Sequence, residues 1–364
     1  MTSRKVTKIL VIVGPTAVGK SALAVWLARM SFPNGNSRGR ARRFTGEIVS
    51  ADSRQVYRGL DVGTGKLTKR EMQKVFHHLL DVASPRRQFS VALYVRKARR
   101  AIEGIARRGK LPIVAGGTGL YIDALLGSVS IPEAPPKPAL RKRLAKKSAT
   151  ELFAMLRKLD PRRAKTIDRH NTRRLIRAIE IARVLGNVPV YSNVLKNNRV
   201  KTRATPQGIN PAGRTETLRI SAEYSCERHS GLPQSQPPKV DAMSTINIRP
   251  LYIGLVLPKK KLQQKIAARL AVRMRSGLIA EVKRLHGQGL SWKRMEELGL
   301  EYRYVSRYAR GLMSKEEMIE KLKTEMYRYA KRQMRWFKRH KDIKWFTPIE
   351  RVKIEKRVRD FLKA

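Results

Sequence analysis

The chain begins its pattern with a short apolar, β-branched run, Lys8 to Val13, that stops at a glycine. Such a run predicts a strand covered on both faces, as in a parallel sheet. Ser21 to Met30 follows with helical spacing of Ala22, Leu23, Val25, Trp26 and Ala28. Ser31 to Arg43, rich in Gly, Asn, Ser and Arg, reads as a loop, and Glu47 to Ala51 as a second strand. Phe89 to Arg107 sets Val91, Tyr94, Val95, Ala98, Ile102 and Ile105 on one helical side, and Leu111 to Ala115 is a third strand closed by Gly116 and Gly117. Strands alternating with helices predict an α/β protein with a parallel sheet flanked by helices.

The Pro-rich stretch Ile131 to Pro138 interrupts this pattern. Beyond it, Ala139 to Leu159 and Asn171 to Leu185 read as helices with basic outer faces, which predicts a small all-α insertion domain over 131–192. From 193 to 248 periodicity dissolves into Pro, Gly, Ser, Thr and Gln, as expected of a flexible, low-complexity insert. Leu251 to Leu257 returns as a strand, and Leu262 to Leu285, Ser314 to Arg339 and Ile349 to Leu362 as helices. The core is therefore expected in two parts, 1–130 and 249–364.

Charge changes the picture more than composition does. Hydrophobic residues make up an ordinary 41%, but 80 Lys and Arg face 28 Asp and Glu, a formal charge of +52. An excess of this size repels itself in a compact chain and makes a polyanion the natural partner, although phosphate contacts alone do not specify a sequence. No run reaches the roughly 18 apolar residues of a membrane span. The apolar run behind the basic N-terminus is too short for a signal peptide, so a cytosolic protein is expected. A single cysteine, Cys226, excludes an internal disulfide and a multi-cysteine zinc site.

Residues 14–21 read GPTAVGKS, a phosphate-binding loop between a predicted strand and a predicted helix. Gly14 and Gly19 let backbone amides, including those of Thr16, Ala17 and Val18, turn inward around an anion. The helix N-terminus adds partial positive charge, Lys20 a full one, and the Ser21 hydroxyl can reach Mg2+. The loop predicts a P-loop NTPase-like sheet holding a di- or triphosphate. No apolar run ends in Asp where a nucleotide hydrolase would place it, because the third strand ends in Gly-Gly-Thr.

Further blocks narrow the chemistry. SADSRQVYRGLDVGTGK (50–66) follows the second strand and AGGTGLYIDALL (115–126) spans the end of the third. With them stand HHLLDVASP (77–85), FSVALY (89–94), RRLIRAIEI (173–181), LGLEYR (298–303) and YAKRQMRWF (329–337). In this order the blocks resemble the tRNA dimethylallyltransferase family over most of 7–192 and 250–346. The resemblance implies transfer of a prenyl group from dimethylallyl diphosphate to the exocyclic amine of the adenosine beside the tRNA anticodon. It implies Asp52 as general base, Thr118 and Arg269 on the diphosphate with the glycine loop and Mg2+, and a monomeric enzyme. Gln55, Arg58, Arg173, Arg174, Arg177, Lys331, Arg332 and Gln333 are the expected tRNA contacts, with Arg177 also placed to staple its helix through Glu180. The insertion domain would clamp the anticodon stem.

The chain departs from the family pattern at Met326 and Tyr327, where threonine and arginine are usual, and at Gly65-Lys66-Leu67, where Ala-Lys-Pro is usual. Met274 is offset by one position, and 193–247 has no counterpart. Three other readings share part of these features: an adenylate isopentenyltransferase acting on free nucleotide, a P-loop kinase, and a nucleic-acid-binding ATPase or binding module. None of the three accounts for both the charge and the Asp52 and Thr118 blocks. A weak RNA-binding role for the insert predicts that deleting 195–245 lowers tRNA affinity and flattens its salt dependence, measured by titration at several ionic strengths. Unchanged affinity and slope would sink that role.

Overall fold

The computed structural model describes residues 6–30, 32–33, 43–186 and 247–364. Most of the Ser31 to Arg43 loop and the body of the 193–248 insert, with Cys226, lie outside the described residues. Strand β1 (Val6–Val13) runs into helix α1 (Lys20–Arg29). The two-residue strands β2 (Phe32–Pro33) and β3 (Arg43–Phe44) pair with each other. Then come β4 (Gly46–Ser50), α2 (Lys69–Met72), β5 (His77–His78), α3 (Val91–Arg107), β6 (Leu111–Ala115) and α4 (Gly119–Leu125). Helices α5 (Pro138–Leu144), α6 (Ala149–Leu159), α7 (Pro161–Ala164) and α8 (Thr172–Leu185) occupy the expected insertion. The chain resumes with β7 (Asn247–Leu255), α9 (Lys259–Arg275), α10 (Leu278–Gly287), α11 (Trp292–Leu298), α12 (Leu300–Ala309), α13 (Lys315–Phe337), β8 (Lys344–Phe346) and α14 (Arg351–Lys363).

Six strands form one sheet in the order β5-β4-β6-β1-β7-β8, with every pairing parallel. The central strand β1 is apolar throughout its buried part because both of its faces are covered. Ile9, Val11 and Val13 point into one core with Val49, Val114 and helices α3, α4, α9, α10, α12 and α13. Leu10 and Ile12 point into the other, with Ile48, Ile113, Ile253, α1 and α14. Among the described residues no helix is long and apolar enough to cross a membrane.

Two expected helices are each divided. Ala139 to Leu159 breaks where Ser148 and Glu151 form a reciprocal cap that starts α6. The apolar spacing hides this break, since Leu144, Leu152 and Leu156 stay in one small core of their own with Leu175 and Ile179. Leu262 to Leu285 breaks at Gly277, whose φ of 90° ends α9 and starts α10. Helices α5 to α8 share a small core of their own. In their core the fully buried Glu180 accepts from the Lys137 amide (2.6 Å), Arg141 (2.7 Å) and Arg177 (2.5 Å).

Glu47, 4% exposed in β4, holds the start of the sheet together with cations from α3 and its following turn. Burial pushes its carboxyl up, but hydrogen bonds from Arg108, Lys110 and His78 outweigh this and bring it down to about 2. A depressed carboxyl stabilises the fold above its unfolded value and loses that contribution as pH falls through the folded value. Glu47→Gln should therefore cost roughly 2 kcal/mol at pH 7. The deficit should shrink in urea denaturation as pH is lowered from about 4.5 toward 2, where the wild type also loses the charge.

Candidate active site

The glycine loop leaves the carboxyl end of β1, where open α/β sheets bind ligands. Gly14 has φ 143°, and a Cβ there would stand 2.5 Å from the Leu255 carbonyl oxygen of β7, so only glycine allows the loop to begin this close to the sheet. Ala17 also has positive φ, 65°. Lys20 opens α1 and donates to the Pro15 carbonyl at 2.7 Å, while Ser21 in the same first turn is exposed. Burial and then the nearby Arg269 hold the Lys20 ammonium down to about 7, against an opposing pull from Asp52. Arg269 is itself held down to about 10 by burial and by Arg273 one helical turn away, with Glu301 and Asp52 opposing. Arg273 is buried and ion-paired with Glu301. Lys20 thus lies within electrostatic reach of both Arg269 and Asp52.

Asp52 follows β4, and Thr118 follows the adjacent β6. The Thr118 amide donates to Ala51 O at 3.1 Å, and the Thr118 hydroxyl accepts from the Ser53 amide at 3.0 Å. The threonine thereby fixes the backbone on both sides of Asp52. Asp52 Oδ1 accepts from the amides of Arg54 (2.8 Å) and Gln55 (3.3 Å), which orients the carboxylate. Asp52 lines a cavity of about 320 Å³ together with Arg54, Tyr304, Met326, Tyr329 and Arg332. Burial first, then the Asp52 carboxylate, raises the Tyr329 phenol above its ordinary range, so it stays neutral.

The other wall is the 61–66 segment. Glu281 of α10 accepts from the amides of Asp61 (2.9 Å), Val62 (2.8 Å) and Gly63 (3.0 Å) and from the Tyr302 hydroxyl (2.8 Å). Lys66 ties the same turn to Asp61 and Asp81, each at 2.6 Å. Gly65, at φ +60°, passes under both arginines: a Cβ there would lie 2.6 Å from Arg269 Nη2 and overlap Arg273.

This arrangement has relatives. Residues 55–340 match the family described as IPP transferase. The chain belongs to the IPP transferase family. It is 34% identical over 356 residues to a tRNA dimethylallyltransferase of Anoxybacillus flavithermus, covering 98% of this chain and 95% of the relative. It is 36% identical over 330 residues to tRNA dimethylallyltransferase 2 of Treponema denticola, covering 90% and 91%. Its fold is similar to the solved tRNA isopentenylpyrophosphate transferase of Bacillus halodurans, with TM-score 0.60, 29% identity and coverage of 99% and 97%. A eukaryotic dimethylallyltransferase acting on tRNA shares the fold at TM-score 0.62 and 22% identity, covering 91% of this chain and 70% of that one.

Within this family member the expected RNA contacts divide. Arg58, Arg173, Arg174, Lys331 and Arg332 are exposed, and only Arg332 among them borders the cavity. Arg173 lies 3.8 Å from Glu297 of α11. Arg177 is engaged by Glu180, the stapling role. Gln55 and Gln333 have partners inside the protein. Gln55 is half-buried and donates to the Gly65 carbonyl at 3.3 Å, bracing the 61–66 turn. Gln333 is 6% exposed and bonded at both ends inside the protein, to the Thr16 amide and the Gly117 carbonyl, each at 2.8 Å. Sequence reasoning missed Arg54, Arg273, Glu281, Glu301 and Tyr329 as parts of the site. Tyr329 stands inside a quoted block and Arg54 inside the Asp52 block, but the partners of Arg273 and Glu281 are too distant along the chain to be read locally.

Gly65→Ala should strain a left-handed turn by about 1–2 kcal/mol and push Arg269 and Arg273 apart. The expected readout is a severalfold rise in the KM for a diphosphate substrate with little change in thermal midpoint beyond the strain.

Proposed function

We propose that this protein transfers the dimethylallyl group of dimethylallyl diphosphate to the exocyclic amine of the adenosine 3′-adjacent to the anticodon of tRNA, releasing diphosphate. One observation carries the reading: Asp52 borders a cavity beside Thr118 and the glycine loop, within the electrostatic reach of Lys20 and Arg269. The site thus offers an acceptor for a proton next to a trap for a leaving anion. Family membership and the curated relatives' activity support the same chemistry.

The amine nitrogen attacks the first carbon of the prenyl group as the carbon–oxygen bond to diphosphate breaks. The Asp52 carboxylate takes the amine proton. Lys20, Arg269 and the amides of the glycine loop bind the charge gathering on the departing diphosphate. The Thr118 hydroxyl already accepts from Ser53, so its own hydrogen is available to the bridging oxygen. A magnesium ion fits the loop, because the Ser21 hydroxyl is exposed in the first turn of α1 and such an ion takes its other ligands from phosphate oxygens and water. When bound, it would offset charge on the diphosphate.

The target base must leave the anticodon-loop stack, and the cavity beside Asp52 offers Tyr304 and Tyr329 as stacking surfaces. Arg58, Arg173, Arg174, Lys331 and Arg332 are the surface cations proposed to meet the RNA backbone, and the protein is proposed to act as a monomer. The test incubates the protein with Mg2+, dimethylallyl diphosphate and either tRNA or AMP, followed by mass analysis of the nucleosides. Prenylated adenosine is expected from tRNA only, and Asp52→Asn should lower the rate about 10²–10⁴-fold. Product from AMP would instead make the protein a free-nucleotide prenyltransferase.

A further inference from the structure

Gln333 touches two peptide groups, and each is tied at its other end to a group proposed for the reaction. The first is the Pro15–Thr16 peptide. Its N–H donates to Gln333 Oε1 at 2.8 Å, and its carbonyl accepts from the Lys20 ammonium at 2.7 Å. The second is the Gly117–Thr118 peptide. Its carbonyl accepts from Gln333 Nε2 at 2.8 Å, and its N–H donates to Ala51, the residue before Asp52, at 3.1 Å. One side-chain amide therefore completes a continuous run of bonds from Lys20 to the backbone that carries Asp52 and Thr118.

The contact is closely packed. A Cβ on Gly117 would overlap Gln333 Nε2, so glycine is required for the amide to reach the strand end. Helix α13 is pinned in the same register one turn later. There Trp336 Nε1 donates to Asp123 at 2.9 Å, and His340 lies 3.0 Å from the other oxygen of that carboxylate. Since a peptide group is planar, fixing its N–H also fixes its carbonyl. The direction of the Pro15 carbonyl, and with it the place of Lys20, follows from Gln333.

We infer that Gln333 is a positioning residue that sets the separation between the diphosphate-binding cation Lys20 and the Asp52–Thr118 pair, and is not a contact to RNA. The inference rests on the proposed transfer reaction. Gln333→Met keeps the length and loses both bonds. Gly117→Ala displaces the same amide without altering Gln333. Inorganic diphosphate with Mg2+ is titrated calorimetrically into each full-length variant, tRNA affinity is measured by fluorescence anisotropy, and thermal melts confirm folding. Diphosphate affinity should fall about tenfold or more in both variants while tRNA affinity stays within about twofold of the wild type. In turnover the KM for the prenyl diphosphate should rise and the KM for tRNA should not. Diphosphate affinity unchanged in either folded variant, or a loss of tRNA affinity alone, would overturn the inference. A wild type that binds inorganic diphosphate yet prenylates no adenosine overturns the proposed function, and the binding comparison still decides the role of Gln333.

Discussion

Burial and the charge of Arg269 hold down the pKa of the half-buried Lys20, with Asp52 opposing, and the rest of the site is built around these three groups. Burying a cation without a partner is costly, so the arrangement persists only because strong constraints hold both cations in place. Lys20 opens α1 directly after the turn from β1, whose Ile9 to Val13 are fully buried. Arg269 is carried by α9, whose Leu262, Ile266 and Leu270 are packed into the larger core. Glu301 pairs with Arg273 and partly offsets its charge at Arg269.

The carboxyl end of a parallel sheet presents loops whose backbone groups need partners. Here much of that need is met from the C-terminal helices. Glu281 of α10 gathers three successive amides of the 61–63 turn. Gln333 of α13 bridges the glycine loop and the end of β6. Trp336 and His340 engage Asp123 of α4. These are polar contacts at buried positions, where a missing partner costs far more than it would at the surface. They tie the glycine loop, the 61–63 turn and the end of β6 into a common frame.

The formal charge of +52 acts over a longer range. Individual exposed ion pairs such as Lys147 with Glu151 or Arg328 with Glu325 contribute little to stability in water. With 80 Lys and Arg against 28 Asp and Glu, most cations cannot have an acidic partner of their own, and the excess raises the local concentration of any polyanion near the protein. The same charge repels itself when no polyanion is bound. The internal acids Glu47 and Glu180, each gathering several cations, therefore matter more to the fold than their number suggests.

The parallel α/β core, the glycine loop between β1 and α1, and Asp52 and Thr118 just past two strand ends were legible in the residues alone. Each of those is a local property: a buried run, a turn that needs glycine, a helix that starts with Lys20 and Ser21. The sequence also exposed the apolar stripe of α3, and it foresaw the Arg177–Glu180 staple because the two stand one helical turn apart. Its helical spacing ran through the breaks at Ser148 and Gly277, because the apolar positions on both sides stay in register with one core. It passed over α11 and α12, where Gly299 joins two short helices. Which polar side chains turn inward depends instead on packing between distant elements. Gln333 and Lys331 stand two residues apart on one helix, yet one is sealed against Gly117 and the other faces solvent, because the rotation of α13 is set by how Met326, Ala330 and Phe337 pack into the core.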